Sequence, residues 1–285
     1  MNRRAFIQNS ALGLTTAAFL PALAQQEAFG NAVKQPIGFQ SYVLRKEINE
    51  DIQGTLKQMK DLGYQHVEMC SPSGYQKFAF PSLVKYSGKE LKQIITDAGL
   101  ECESCHFTLP EMRTNLDERL EFARQMGLKY MVCSGGLAAK TLDEIKSKCE
   151  EMNRIGEKIT QAGFTTGYHN HNVEFESSYG GKVMYDVLME EVNPDFVKMQ
   201  FQVAVATLGY KAADYFRKYP GRFISAHLQD YDPNDYKKEV VLGRGIVDWK
   251  DFFAASKKGG VKLVYVEMES NPGTLKDSVA YLKKL

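Results

Sequence analysis

Long apolar runs are missing after the first 24 residues. No later segment has 18 uncharged apolar residues, so none there has the length of a membrane-spanning helix. An excess of one charge is missing as well. There are 36 Lys and Arg against 35 Asp and Glu, with basic residues scattered among acids, which excludes a surface built for a phosphate backbone or an anionic membrane. No nucleic-acid partner is expected. Cysteine is scarce: Cys70, Cys102, Cys105, Cys133 and Cys149 are odd in number and leave no complete disulfide set. Cys102 and Cys105 form a CxxC, but no second one exists to complete a zinc site. Most of the five fall in or beside apparent strands, so buried free thiols are expected. A glycine-rich phosphate turn is also absent: "GFQSYV" after Pro36 has none, which argues against a dinucleotide-binding open sheet.

Two kinds of sequence are present. Residues 1–24 carry Arg3-Arg4, a short apolar stretch and Ala22-Leu23-Ala24, the pattern of a cleavable export signal of twin-arginine type. A periplasmic location and a globular domain over 25–285 are the corresponding expectations. The rest alternates short apolar runs with amphipathic ones. Strands are expected at 36–42, 64–70, 100–107, 128–136, 164–171, 196–203, 222–230 and 261–269. Helices are expected at 51–63, 87–99, 115–127, 141–163, 182–192, 210–220, 248–260 and 275–285, the fourth opened by a Thr141/Glu144 capping box. Eight strand–helix pairs without a linker predict a single closed (β/α)₈ barrel.

In such a barrel the chemistry sits where strands end. Glu68 ends the second, His106 the third, His169 and His171 the fifth. Gln200 and Gln202 lie on the sixth, His227 and Gln229 on the seventh, Glu267 and Glu269 on the eighth. Four of the five histidines therefore converge on one face, with His66 left near a strand start. The densest stretch is "YHNHNVEFE" (168–176). Its two histidines are two residues apart and share one side of a strand, and Glu174 can reach back from three residues on. One strand-end histidine alone is more often a packing residue. Four with several carboxylates suit a divalent transition metal or proton transfer. Tyr42, Tyr75 and Trp249 are candidate walls of a sugar pocket.

At these residues the chain resembles the xylose isomerase-like TIM-barrel family. The likeness runs from "IGFQSYVLR" through "GYQHVEMC", "GYHNHNVEF", "KYPGRFISAHLQD" and "GRGIVDW" to "VYVEME". The resemblance implies one divalent ion (Mn, Zn, Co or Mg) held at the ends of strands five to eight, and a small carbohydrate substrate. Carried over by position, the ligands are Glu174, Gln202, His227 and Glu267. His169 occupies the strand-end position and is an alternative to Glu174. Two departures stand out. Gln202 in "QFQV" replaces an aspartate common in the family, and Gln229 in "HLQD" stands where a lysine is common.

The implied activity is sugar isomerisation or epimerisation, with proton abstraction next to a carbonyl and an enediolate intermediate. His169, Glu174 and Glu267 are the candidate catalytic groups. Glu68, His106, His171, Gln200 and Gln229 are the candidate substrate contacts. A lyase or hydratase acting on 3-keto glycosides through the same proton abstraction is the alternative, and a non-catalytic carbohydrate-binding barrel the second.

Overall fold

The computed structural model describes residues 33–285. The expected export signal at 1–24 lies outside the described residues. Eight parallel strands close a barrel: β1 (Ile37–Gln40), β2 (His66–Cys70), β3 (Ser104–Phe107), β4 (Tyr130–Cys133), β5 (Thr165–His169), β6 (Val197–Gln202), β7 (Phe223–Leu228) and β8 (Leu263–Val266). Each pairs with the next in sequence, and β8 returns to β1 through Ile37–Val264 and Phe39–Val266. The eight expected strands are all present. Each is shorter than its apolar run, because ladder pairing stops before the run does.

The outer helices are α1 (Ile52–Leu62), α2 (Gly88–Asp97), α3 (Leu116–Met126), α4 (Leu142–Gln161), α5 (Met184–Glu191), α6 (Ala212–Lys218), α7 (Trp249–Gly259) and α8 (Leu275–Leu282). The Thr141 hydroxyl and the Glu144 side chain cap the start of α4 reciprocally, which satisfies amides that have no partner within the helix. Among the described residues, no helix is long and apolar enough to cross a membrane. All five cysteines are free, and Cys102 alone is not fully buried.

Strand alternation sorts the side chains. Val67, Met69, Cys105, Phe107, Tyr168, Phe201, Leu228 and Val266 are fully buried between barrel and helices. The residues between them are polar and face the lumen. The loops that follow the strands are more structured than the sequence pattern suggested. They hold short helices at Arg45–Glu50, Pro72–Tyr75, Leu109–Thr114 and Val173–Glu176, and a hairpin pairing Tyr231–Asp232 with Asp235–Glu239.

Candidate active site

The lumen is polar in two tiers. Glu68 forms the hub of the lower one, in the middle of β2 rather than at its end. Its Oε1 accepts from Ser104 Oγ at 2.5 Å and Gln200 Nε2 at 2.8 Å. Its Oε2 accepts from Gln40 Nε2 at 2.8 Å and His227 Nε2 at 2.5 Å. Burial alone would raise its pKa, but His106 and His227 beside it, with the hydrogen bonds from His227 and Ser104, hold it down at about 2. A carboxylate with four donors and no exposure has nothing left to offer a ligand. Glu68 is thus an internal anchor, which corrects its assignment as a substrate contact.

Ionised Glu68 accepts only, so the Gln200 amide must turn its NH₂ toward it. The second N–H of that amide goes to Ser225 Oγ at 2.8 Å. Gln200 Oε1 therefore faces His106 Nε2 at 2.6 Å and His169 Nδ1 at 2.9 Å, and both nitrogens must carry the hydrogen. This leaves a lone pair on His106 Nδ1 and another on His169 Nε2. Burial pushes both imidazoles below the ordinary histidine range, His169 furthest, where the neighbouring histidines His227 and His171 add to the effect. Gln200 also lies in the wall: it orients two histidines and contacts no part of the open cavity.

His227 has the opposite character. Burial would lower its pKa, yet Glu267 and Glu68 on either side raise it to about 10. Its Nδ1 lies 3.0 Å from Glu267 Oε2, which also accepts from Gln202 Nε2 at 2.6 Å. Gln202 Oε1 is buried without a partner.

The cavity above has a volume of about 400 Å³, within the range of roughly 300–1,000 Å³ usual for small-molecule sites. His106, His169, His171, Glu267 and Glu269 line its polar side, and Tyr42, Tyr75 and Phe78 its aromatic side. Gln40, Cys70, Thr108 and Ser134 complete it. Burial and then the Glu267 charge push Glu269 up to about 7.

The stretch "YHNHNVEFE" divides its work. His169 and His171 reach the cavity, their ring centroids 4.9 Å apart. Asn170 Oδ1 accepts the Gln202 backbone amide at 3.1 Å and pins β6 beside β5. Tyr168 points the other way, and its hydroxyl donates to Glu174 Oε1 at 2.6 Å. Glu174 Oε2 accepts the His171 amide at 2.9 Å. With both oxygens taken by the Tyr168 hydroxyl and the His171 amide, Glu174 closes its own loop, which corrects its assignment as catalytic group and metal ligand. Gly135 makes room for the rim: at φ +130° it favours glycine, and a Cβ there would meet His171 Cε1 at 3.2 Å.

Gln229 and Trp249, both expected at the site, lie off the cavity. Gln229 is buried and donates to Glu239 Oε1 at 3.3 Å. Trp249 is buried and donates to Asp230 Oδ2 at 2.9 Å. Asp230 also accepts the amides of Gly243, Gly245 and Val247, so "HLQD" and "GRGIVDW" meet as a structural clasp rather than a sugar wall. A Cβ on Gly245 would overlap the Asp230 carboxylate. His66 stands at the start of β2, 4.0 Å from Glu101, away from the site as expected. Gln40 was missed. Its signal was its place as the last residue of β1, but an amide among histidines and acids drew no notice.

Fold and site define a (β/α)₈ barrel with a polar, histidine-lined mouth. The chain belongs to the xylose isomerase-like TIM barrel family, whose model matches residues 56–285. Comparison with curated protein sequences gives no match. Among solved structures the chain is similar to a sugar phosphate isomerase/epimerase from Parabacteroides distasonis, at 22% identity and a TM-score of 0.74, over 88% of this chain and 96% of that one. It is also similar to an L-ribulose 3-epimerase, at 15% identity and a TM-score of 0.63, over 86% and 92% of the two chains. A third is the IOLI protein with a bound zinc atom, at 15% identity and a TM-score of 0.63, over 87% and 98%. At these identities the likeness shows the fold.

Proposed function

We propose that the cavity carries out a divalent-metal-assisted isomerisation or epimerisation of a carbohydrate, by removing and returning a proton next to a carbonyl. The observation that carries this reading is the contact of His169 Nδ1 with Gln200 Oε1 at 2.9 Å. Gln200 holds its Nδ1–H, so a neutral Nε2 lone pair is presented from a residue that lines the cavity. Glu267 lies across the same cavity as a second proton acceptor, and His106 and His171 offer hydrogen bonds to hydroxyls.

The residues fit a metal ion. His106, His169 and His227 bring ring nitrogens within 4.8 Å of one another. Glu267 abuts His227, and the partnerless Gln202 Oε1 offers a further oxygen. His227, Glu267 and Gln202 would hold the ion, and this mixed nitrogen and oxygen set suits zinc, cobalt or manganese better than magnesium. When bound, the ion supplies Lewis-acid polarisation of a carbonyl and its neighbouring hydroxyl. The three close histidines support a second arrangement, in which His106 and His169 ligate as well and Glu267 is the base.

Metal analysis of the purified chain, with activity on keto sugars before and after chelation, tests the proposal. A protein that takes up no divalent ion yet turns over such sugars contradicts the metal's part. Gln202→Asp sharpens the test. Gln202 donates to Glu267 at 2.6 Å, so an aspartate there sets two carboxylates together. The metal-free variant should melt lower than the wild type, and zinc should bind it more tightly, because the added negative charge faces a dication. Unchanged zinc affinity by calorimetry would remove Gln202 from the ligand set.

A further inference from the structure

Glu111 is a buried carboxylate outside the histidine cluster. It sits in the short helix Leu109–Thr114 that follows β3 and is 8% exposed. Its Oε1 accepts the Thr108 amide at 2.7 Å. Its Oε2 accepts Ser71 Oγ at 2.8 Å, from the loop that follows β2, and Arg119 Nη1 at 3.4 Å, from α3. One carboxylate thus ties two neighbouring loops to an outer helix. The chain on the β2 side comes so close that a Cβ on Gly74 would overlap the Glu111 carboxylate. Ser71 caps the short helix Pro72–Tyr75, and Tyr75 and Thr108 both line the cavity. Phe78 rests on Tyr75 with ring centroids 5.0 Å apart, and Asn49 Nδ2 holds the far end of this segment through the Ala79 carbonyl.

Burial raises the Glu111 pKa above its ordinary value even with Arg119 beside it. A buried charge pair of this kind is a weak source of stability, and what it fixes is geometry. Both oxygens are occupied, so Glu111 acts through its partners and not on a ligand. The geometry points to Glu111 as a positioning residue: through Ser71 and the Thr108 amide it sets where Tyr75 and Thr108 stand, and with them the wall a substrate rests on. This rests on the cavity being the reaction site and adds what shapes it.

The test reads the wall without any sugar. Tyrosine nitration by tetranitromethane is mapped by mass spectrometry on the full chain. In the wild type Tyr75, 6% exposed, should react far more slowly than Tyr236, 51% exposed. Glu111→Ala should speed nitration of Tyr75 about tenfold, the opening expected on losing hydrogen bonds to a charged group. Tyr64 and Tyr185, fully buried elsewhere, should stay protected in every variant, which separates a displaced wall from a loosened fold. Glu111→Gln should restore most of the protection, because its amide still accepts from Thr108 and can donate to Ser71. Ser71→Ala should reproduce part of the rise, and it serves in place of Glu111→Ala if that variant does not fold. A kinetic arm uses D-fructose, D-tagatose and L-ribulose. On any of these that the wild type turns over, Glu111→Ala should raise KM about three- to tenfold and leave kcat nearly unchanged, since the wall contributes binding and not chemistry. Tyr75 nitration unmoved in both variants, a rise shared by Tyr64 and Tyr185, or a fall in kcat at constant KM would overturn the inference. Turnover of none of the three sugars would count against the proposed reaction, while the nitration result still decides this one.

Discussion

His169→Ala should lower turnover of a keto sugar by about 10²–10⁴-fold, the loss typical of removing a general base. The fold should survive, since His169 hydrogen-bonds through Nδ1 to Gln200 alone among side chains and β5 keeps its neighbours. Metal content separates the two arrangements offered for the site. If His169 is the base, the variant retains its ion and loses catalysis. If His169 is a ligand, ion and activity fall together. Gln200→Leu is the companion variant. It removes the acceptor that fixes the His169 Nδ1–H, together with the contacts of that amide to His106, Glu68 and Ser225. Activity should fall with turnover more than with apparent affinity, and His169→Ala added to it should cost little more. A His169→Ala protein with near wild-type turnover would reduce the residue to a rim support.

Glu68→Gln should destabilise the chelator-treated protein by about 3–5 kcal/mol, the usual cost of breaking a buried ion pair from one side. The deficit should depend on pH. Glu68 titrates at about 2 in the folded chain against an ordinary 4.5, so its contribution is present above 4.5 and lost as pH falls toward 2. His227 is raised to about 10 from an ordinary 6.5, so its contribution is complete below 6.5 and lost as pH rises through 10. The gap between wild type and variant in urea denaturation should therefore be widest between pH 4.5 and 6.5 and shrink on either side. A small gap that does not vary with pH would mean that Glu68 is not the anchor of the lower tier.

The barrel was legible in the sequence because strand and helix runs alternate strictly through eight pairs. The convergence of His106, His169 and His227 was legible for the same reason: strand ends share one mouth whatever the sequence distance between them. Partner choice was not. Glu174 lies three residues past His171 and looks free to reach a metal, yet Tyr168 on the opposite face of the same strand takes it. Asp230 and Trp249 are 19 residues apart, and only the fold of the loop between them turns both into a clasp. Glu68 reads as a strand-end acid, but β2 runs on to Cys70, the residue in register with His106 of β3, and this sets Glu68 below the mouth. In each case the deciding neighbour arrives from another element, and spacing along the chain carries no sign of it.

The most direct test of the proposed chemistry is hydrogen exchange at carbon. The chain, loaded with zinc or manganese, is incubated in D₂O with keto sugars and keto glycosides, and the recovered compounds are read by NMR and mass spectrometry. Deuterium should enter at a carbon next to the carbonyl of the true substrate, and His169→Ala should slow that entry along with turnover. Complete conversion of a substrate with no carbon-bound deuterium in product or recovered substrate would contradict proton abstraction as the function of this site.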